Sequence, residues 1–365
     1  MSDNKIALAY AAIEKKYTAT IPSFEEKENR GKGFVSYGED NMIPEYLYSL
    51  YTDVSTLKTI ITGTSDYVAG DDIVSHIPTL QKSVNMSGDG WKDLVTLLSK
   101  DYLLYGGFAI EVLRNKAGII SALEYVDFRY IRSDKDNNIF YYSEEYGKKY
   151  QKADRTIVLE KFNPLNTTQE RSLLYVKCDR SSTYPTPIYS GAIKACEIER
   201  HIDEFHLSEL ENGFYGSYLF SFNNGIPEDE EKAEIERNIN EKFCGSSNVG
   251  RVLISFSDDT ENATTVEKLD VIDFADKYNA VATRSREQIY CAFGAVPQLF
   301  GLTSAATGFS EQEFNEAFKL YNRTKVRSIQ RLIIDKINYI FSMDNAIEIK
   351  PYTISNDDNI DKTID

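Results

Sequence analysis

The 365-residue sequence predicts an α+β chain on three observations. Helical periodicity gives way to a meander of short strands in the first half, a β-α-β-β pattern sits inside the second, and two long amphipathic helices joined by small residues close it.

Residues 1–30 are polar and charged, with at most a short helix expected over Ile6 to Lys16. A clearer unit begins at VSYGEDNMIPEYLYSLYTDVSTLKTIITGTSDYVAGDDI. Pro44 can open a helix because the first turn has no use for its missing N–H, and Tyr46, Leu47, Leu50 and Tyr51 share one face. A second helix is expected from Ser55 to Ala69, ended by Gly70, and a third from Trp91 to Tyr105, ended by Gly106 and Gly107. Alternation then replaces the helical period in FAIEVLRN. Strands are expected at Ile119 to Tyr125, Tyr130 to Ser133, Ile139 to Tyr142 and Thr156 to Phe162, parted by turn clusters such as Asp134-Lys135-Asp136-Asn137-Asn138.

Tyr184-Pro185-Thr186-Pro187 reads as a stiff extended joint, since each proline restricts its predecessor as well as itself. A helix from Ser190 to about Asn212 carries Ile193, Ile198, Ile202, Phe205 and Leu210 on its apolar side. The β-α-β-β insert follows: strand Tyr218 to Phe222, helix Glu228 to Phe243, strands Arg251 to Phe256 and Thr264 to Leu269. Pro227 precedes that helix, and Glu228, Asp229, Glu230 and Glu231 stand in its first turn, where the dipole favours negative charge.

From Asp273 to Phe293 a long helix is expected with Phe274, Tyr278, Val281, Ala282, Ile289 and Phe293 as its stripe, stopped by Gly294 and Pro297. Leu302 to Phe309 holds only small uncharged residues between two bulkier ends, with Gly301 and Gly308 allowing sharp turns. Ser310 and Glu313 form a capping box for a final helix to Phe341, whose apolar face runs through Phe314, Phe318, Tyr321, Ile329, Leu332, Ile333, Ile337 and Ile340. Beyond Asn345 a strand from Ala346 to Thr353 precedes an acidic end.

Such a length accommodates two or three cores, and no run of 18 apolar residues is long enough to span a membrane. The start lacks a cleavable signal-peptide core, so a cytoplasmic product is expected. Cys178, Cys196, Cys244 and Cys291 are widely separated, which fits free buried thiols better than zinc ligands or a disulfide framework. The net charge of −16 argues against gripping nucleic acid over a broad surface, because phosphate binding is driven by Lys and Arg displacing counterions. It is compatible with letting a polyanion slide past, and equally with an acidic excess that only keeps the chain soluble. Charge is also partitioned. Residues 213–272 hold twelve acids against five bases, whereas 310–341 hold four acids against six bases.

No catalytic constellation emerges. His201 and His206 lie about 140° apart around a helix, and the H-E-x-x-H spacing of a metal site is missing, so a solvated charged face accounts for them. Asp229-Glu230-Glu231-Lys232 has the residue types of a nuclease, but consecutive positions in one helical turn point in different directions, whereas a metal needs converging carboxylates. Neither a Walker A loop nor a G-x-S-x-G elbow is present. The 25 tyrosines suit core and interface packing more simply than base stacking. Lys319, Arg323, Lys325 and Arg327 could face phosphates or, equally, the acids of a neighbouring subunit.

The order CAFGAVPQLFG, short loop, GFSEQEFNEAF and long final helix resembles the C-terminal half of tailed-bacteriophage portal proteins, the rings through which DNA enters and leaves a capsid. The pattern G-E-D-N-x-x-P, followed by a helix pair and a glycine, resembles their opening, so that the likeness covers most of Gly38 to Phe341. It implies a portal-protein fold: an α+β wing over 1–189, a first stem helix 190–212, a small β-α-β-β clip 213–272, a second stem helix 273–300, a tunnel loop 301–309, a long tunnel helix 310–341, and a wing strand with tail over 342–365. The chain is too short for more than a reduced crown.

The resemblance further implies a non-enzymatic homo-oligomeric ring of about twelve copies at one capsid vertex, assembled in a host cytoplasm without cofactor, metal or membrane. Double-stranded DNA would pass through it without sequence recognition. Thr303, Ser304, Ala305, Ala306, Thr307 and Gly308 would face the DNA through methyls, hydroxyls and amides, with Lys319 and Arg323 facing phosphates. Glu228, Asp229, Glu230 and Glu231 would face the terminase large subunit and the head-tail adaptor, and the wing would meet the major capsid protein. Two alternatives stand beside this reading: a metal-dependent nuclease using acidic residues, and another capsid or tail connector component.

Overall fold

The computed structural model describes residues 7–10, 21–28, 31, 33–146, 156–179, 182–211, 218–222, 227–228, 230–232, 234–235, 237–238, 252–256, 265–268, 275–302 and 311–353. They divide into two compact units, one made of residues 1–20 and 198–284, the other of 21–197 and 285–365.

In the larger unit, helices Ile43–Asp53, Ser55–Ala69 and Trp91–Tyr105 pack through Leu47, Leu50, Leu57, Ile60, Ile61, Leu94 and Leu98, all buried. The third helix ends at Gly106, whose φ of 82° is left-handed and whose Cα lies so close to the chain that a Cβ there would meet the Thr186 carbonyl at 2.6 Å. Only glycine satisfies both conditions. The chain then enters strand Gly107–Arg114, the centre of an antiparallel sheet between Arg171–Lys177 and Ile120–Tyr125. Strands Ile131–Ser133, Ile139–Tyr142 and Ile157–Glu160 form a second antiparallel sheet. Ile347–Lys350 pairs antiparallel with Asp72–Ser75, so the end of the described chain returns to the edge of its opening helices.

The strand Arg171–Lys177 is absent from the reading by periodicity, although it is the longest partner of the central strand. Its RSLLYVK places three apolar residues nearly in a row, which blurs the period-two signal.

The GEDN segment has a defined task in this unit. Asn41 takes a left-handed φ of 65°, and its side-chain oxygen accepts from the Tyr37 amide at 2.9 Å and from Arg132 Nε at 2.6 Å. The Asn41 carbonyl accepts from Arg132 Nη2 at 2.7 Å, while Nη1 donates to the carbonyls of Arg129 and Ile131 at 2.7 and 2.8 Å. Arg132 is fully buried over the Tyr146 ring, and burial lowers its pKa. Its donors are thus met by carbonyl oxygens and a carboxamide. Tyr37 stacks on Tyr184 with centroids 4.2 Å apart and donates to the Pro185 carbonyl at 2.6 Å, which fastens the same loop to the proline-rich joint.

In the smaller unit a four-stranded sheet runs in the order 7–10, 252–256, 218–222, 265–268. Tyr218–Phe222 and Val252–Phe256 are parallel, and parallel neighbours need a crossover, which here contains the helical residues between 230 and 238. The short helix expected over Ile6 to Lys16 is corrected: Ala7–Tyr10 is a strand antiparallel to Val252–Phe256. A backbone ladder satisfies four residues that an isolated short helix could not stabilise. Helices Ile193–Glu211 and Ala275–Phe293 enter this unit, where Tyr278 lies 4.9 Å from the Phe205 ring and 5.9 Å from that of His206.

Three side chains of the expected apolar stripes are exposed instead: Ile198 at 39%, Phe205 at 37% and Val281 at 44%. The 193–211 and 275–293 helices therefore carry more apolar surface than one chain covers. The expectation of buried thiols holds for Cys196 alone among the described residues. Cys178 and Cys291 are free and exposed, and Cys244 lies outside them. Both sit on segments whose remaining faces pack, so periodicity could not place them.

Replacing Asn41 by Ala leaves Arg132 and the Tyr37 amide short of an acceptor in a buried site and should lower the unfolding free energy by about 2–3 kcal/mol. Urea unfolding followed by the fluorescence of Trp91 measures it.

Candidate functional site

The segment 303–310, with the proposed contact residues Thr303 to Gly308 and the capping Ser310, lies outside the described residues. The structure does show what holds its two ends.

Helix Ala275–Phe293 stops at Gly294, where φ is 59°, and Val296 leads into a 3₁₀ turn, Pro297–Phe300. Proline at the first position suits that turn because no N–H is lost. Gly301, with φ of 83°, ends it. Phe300 then lies over Gly63 of the 55–69 helix, where an added Cβ would stand 3.0 Å from the ring. Tyr67, one turn further along that helix, meets Phe300, Phe318, Tyr321 and Tyr352 edge-on at centroid distances of 6.1, 5.4, 6.5 and 5.1 Å. Edge-to-face contacts of this kind add to area burial. The Tyr67 hydroxyl donates to the Leu299 carbonyl at 2.9 Å, and Thr64 shares a buried hydrogen bond of 2.7 Å with the Tyr321 hydroxyl. Burial raises the pKa of both phenols, that of Tyr321 to about 12, so they remain neutral. One helix thus grips the chain on both sides of the 303–310 segment.

The final helix is not the uniform one expected. Glu311–Tyr321 and Arg327–Phe341 are α-helical, and Asn322–Val326 between them is a π-turn. The reason is phase. Phe318 and Tyr321 are buried in the first half, and Val326, Ile329, Ile333, Ile337 and Ile340 in the second. Tyr321 and Val326 are five apart, so a straight α-helix would point the two apolar stripes in different directions. Taking up one extra residue in a π-turn realigns them. The five-residue step was present in the sequence and is the signal that a uniform helix overlooks. Gln330 secures the second half by donating to the Val68 carbonyl at 2.9 Å.

Lys319 and Arg323 are exposed on this element, as are Arg327 and Arg331. Among the described residues, none of the four side chains has an ion pair or hydrogen bond. Lys325 points elsewhere. A Cβ at Gly294 would lie 2.7 Å from its Cε, so its stem crosses the end of the 275–293 helix, where a cation complements the dipole.

The acids of the other unit are only partly described. Glu228, Glu230 and Glu231 are exposed, the Lys232 amide donates to the Glu228 carbonyl at 3.0 Å in the first helical turn, and Asp229 lies outside the described residues. His201 Nδ1 lies 3.0 Å from Glu204, three residues on, in keeping with a charged helical face. Among the described residues no three His, Cys, Asp or Glu side chains converge as metal ligands would, and no helix is long and apolar enough to cross a membrane.

No family model matches the chain. Two uncharacterised proteins are similar to part of it: one of Rickettsia felis, 27% identical over 165 residues, and one of Rickettsia bellii, 28% identical over 164. The matches take in 43% and 44% of this chain and about two fifths, 41%, of each relative. The solved structures reach further. A chain from the virion of a native gene transfer agent particle superposes with a TM-score of 0.54 at 16% identity, over 88% of this chain and 84% of that one. A chain from the neck of the native particle, computed with C12 symmetry, gives 0.53 at 17% identity over 84% of each. An HK97-family phage portal protein from Corynebacterium diphtheriae gives 0.50 at 9% identity, over 80% of this chain and 88% of that one. Superposing on it over four fifths of its length, this chain has the fold of a phage portal protein.

Proposed function

We propose that the chain is the subunit of a portal ring at one vertex of a tailed-phage or related particle, a channel for DNA packaging and ejection and a docking site for the terminase and the head-tail adaptor. The observation that carries the reading is the fold shared with a solved portal protein over most of both chains. A neck computed with C12 symmetry among the similar structures supports a ring of about twelve copies with head-to-tail interfaces. So do the exposed Ile198, Phe205, Leu207 and Val281, apolar positions that a neighbouring copy would cover.

In this reading the α+β wing is built from residues 1–189 and the C-terminal strand of 342–365, and it meets the major capsid protein. The clip, 213–272, is acidic and offers Glu228, Asp229, Glu230 and Glu231 to terminase and adaptor. The stem comprises 190–212 and 273–300. The 301–309 loop, gripped on both sides by the 55–69 helix, is presented to double-stranded DNA through Thr303 to Gly308, and the 310–341 helix turns Lys319 and Arg323 toward phosphates. Transit without gripping is consistent with the net charge of −16, since a predominantly cationic bore would hold the polymer at every step. The part played by the protein is mechanical and calls for no cofactor.

Negative-stain images and native mass measurement of the purified chain should give a ring with an axial hole and a mass of about twelve subunits. A species that stays monomeric under every condition, or a closed particle with no opening, overturns the proposal, as would a DNA-cleaving activity abolished in the D229A/E231A variant. Removing Thr303 to Gly308 should leave the rings intact while DNA retained in assembled particles drops. Normal retention in that deletion takes the loop out of the mechanism.

A further inference from the structure

Residues 319–331 carry five cations and no acid, in a chain that is acidic elsewhere. Four of the five, Lys319, Arg323, Arg327 and Arg331, are spaced four apart, exposed and without a partner among the described residues, while Lys325 is drawn aside to Gly294. In a continuous α-helix, residues four apart drift by about 40° per step, so positions 319 and 331 would lie about 120° apart. The π-turn at 322–326 absorbs one residue, worth about 100° of rotation, and leaves them within about 20° of each other. The device that realigns the apolar face therefore also gathers four charges on one face about 60° wide, in a row about 18 Å long with one every 6 Å or so.

Like charges at this spacing repel by a few tenths of a kcal/mol per pair. Glu316 and Asp335 stand only beyond the two ends of the row, and no ion pair within the described residues offsets it. We infer that this row is a binding site for the phosphodiester backbone of a nucleic acid, contacted one phosphate at a time and without regard to base sequence. Three of the four are arginines, whose planar fork matches phosphate oxygens in pairs. A regular linear array fits a regularly charged polymer better than the scattered carboxylates of an acidic protein surface, and protein interface cores are depleted of charge. The site deepens the proposed function and rests on its assignment of Lys319 and Arg323 to phosphates. It adds Arg327 and Arg331 and the turn that aligns them.

The test is binding of a 30-base-pair duplex to the full chain, read as the slope of log affinity against log salt. Each phosphate contact contributes about 0.9 to that slope. The K319Q/R323Q/R327Q/R331Q variant should lose about 3–4 of slope, and R327Q or R331Q alone about 0.9 each. The control K82Q/K116Q/K161Q/K194Q, with the same charge change at exposed lysines elsewhere, should leave the slope within one of wild type. Equal slopes in the row variant and the control overturn the inference, as does a wild type that fails to bind the duplex at low salt. An unchanged slope with altered subunit mass assigns the row to an acidic neighbour and overturns it too. Images of the same samples separate the two proposals: rings with an unaffected slope remove the row and spare the portal reading, and a row-dependent slope without rings does the reverse.

Discussion

A notch the size of a missing side chain governs the larger unit. Gly63 lets the Phe300 ring come against the backbone of the 55–69 helix, and Tyr67, one turn away, closes over it with Phe318, Tyr321 and Tyr352. Segments that are far apart in sequence thereby converge on one helix face. Aromatic rings achieve this economically, since each buries a large area while losing little side-chain freedom. The neutral phenols of Tyr67 and Tyr321 then satisfy the Leu299 carbonyl and the Thr64 hydroxyl in the same place, so nothing polar is stranded by the packing. Whatever the 303–310 segment does, its ends start from fixed positions.

A second constraint is the solvation of Arg132. Removing a guanidinium from water is costly, and a lone carboxylate partner would bury a second charge. Here carbonyls of residues 41, 129 and 131 and the Asn41 carboxamide share the donors, which ties the GEDN turn to the strand Ile131–Ser133. Asn41 suits the place twice over, since asparagine tolerates left-handed backbone and carries a side-chain acceptor.

Much of this was legible from the residues. The Ser55–Ala69 and Trp91–Tyr105 helices are bounded by Gly70 and Gly106, and glycine stops are read directly. Tyr218–Phe222 carries its own alternation. What resisted reading depends on partners distant in sequence. Ala7–Tyr10 is a strand only because Val252–Phe256 offers it a ladder, and Arg171–Lys177 only because Gly107–Arg114 lies beside it. Ile198, Phe205 and Val281 fit a helical stripe in the sequence, yet each keeps more than a third of its surface exposed. For the site, the glycines and proline that frame the loop were evident, while the grip of Gly63 and Tyr67, some 230 residues away, left no local trace. The π-turn was written in the five-residue gap from Tyr321 to Val326 but needs the burial of both halves to be recognised.

That turn makes an upper limit on length, rather than composition, the fixed property of the last helix. A single-residue change at the exposed Arg323, Thr324 or Lys325 perturbs one position. Losing one codon there would remove the absorbed residue and leave a regular α-helix in the same phase, whereas gaining one would swing the whole of Arg327–Phe341 by about 100° and carry Ile329, Ile333, Ile337 and Ile340 out of the core together. Genetic variation in this region should therefore tolerate altered spelling and a lost codon, and reject an added one.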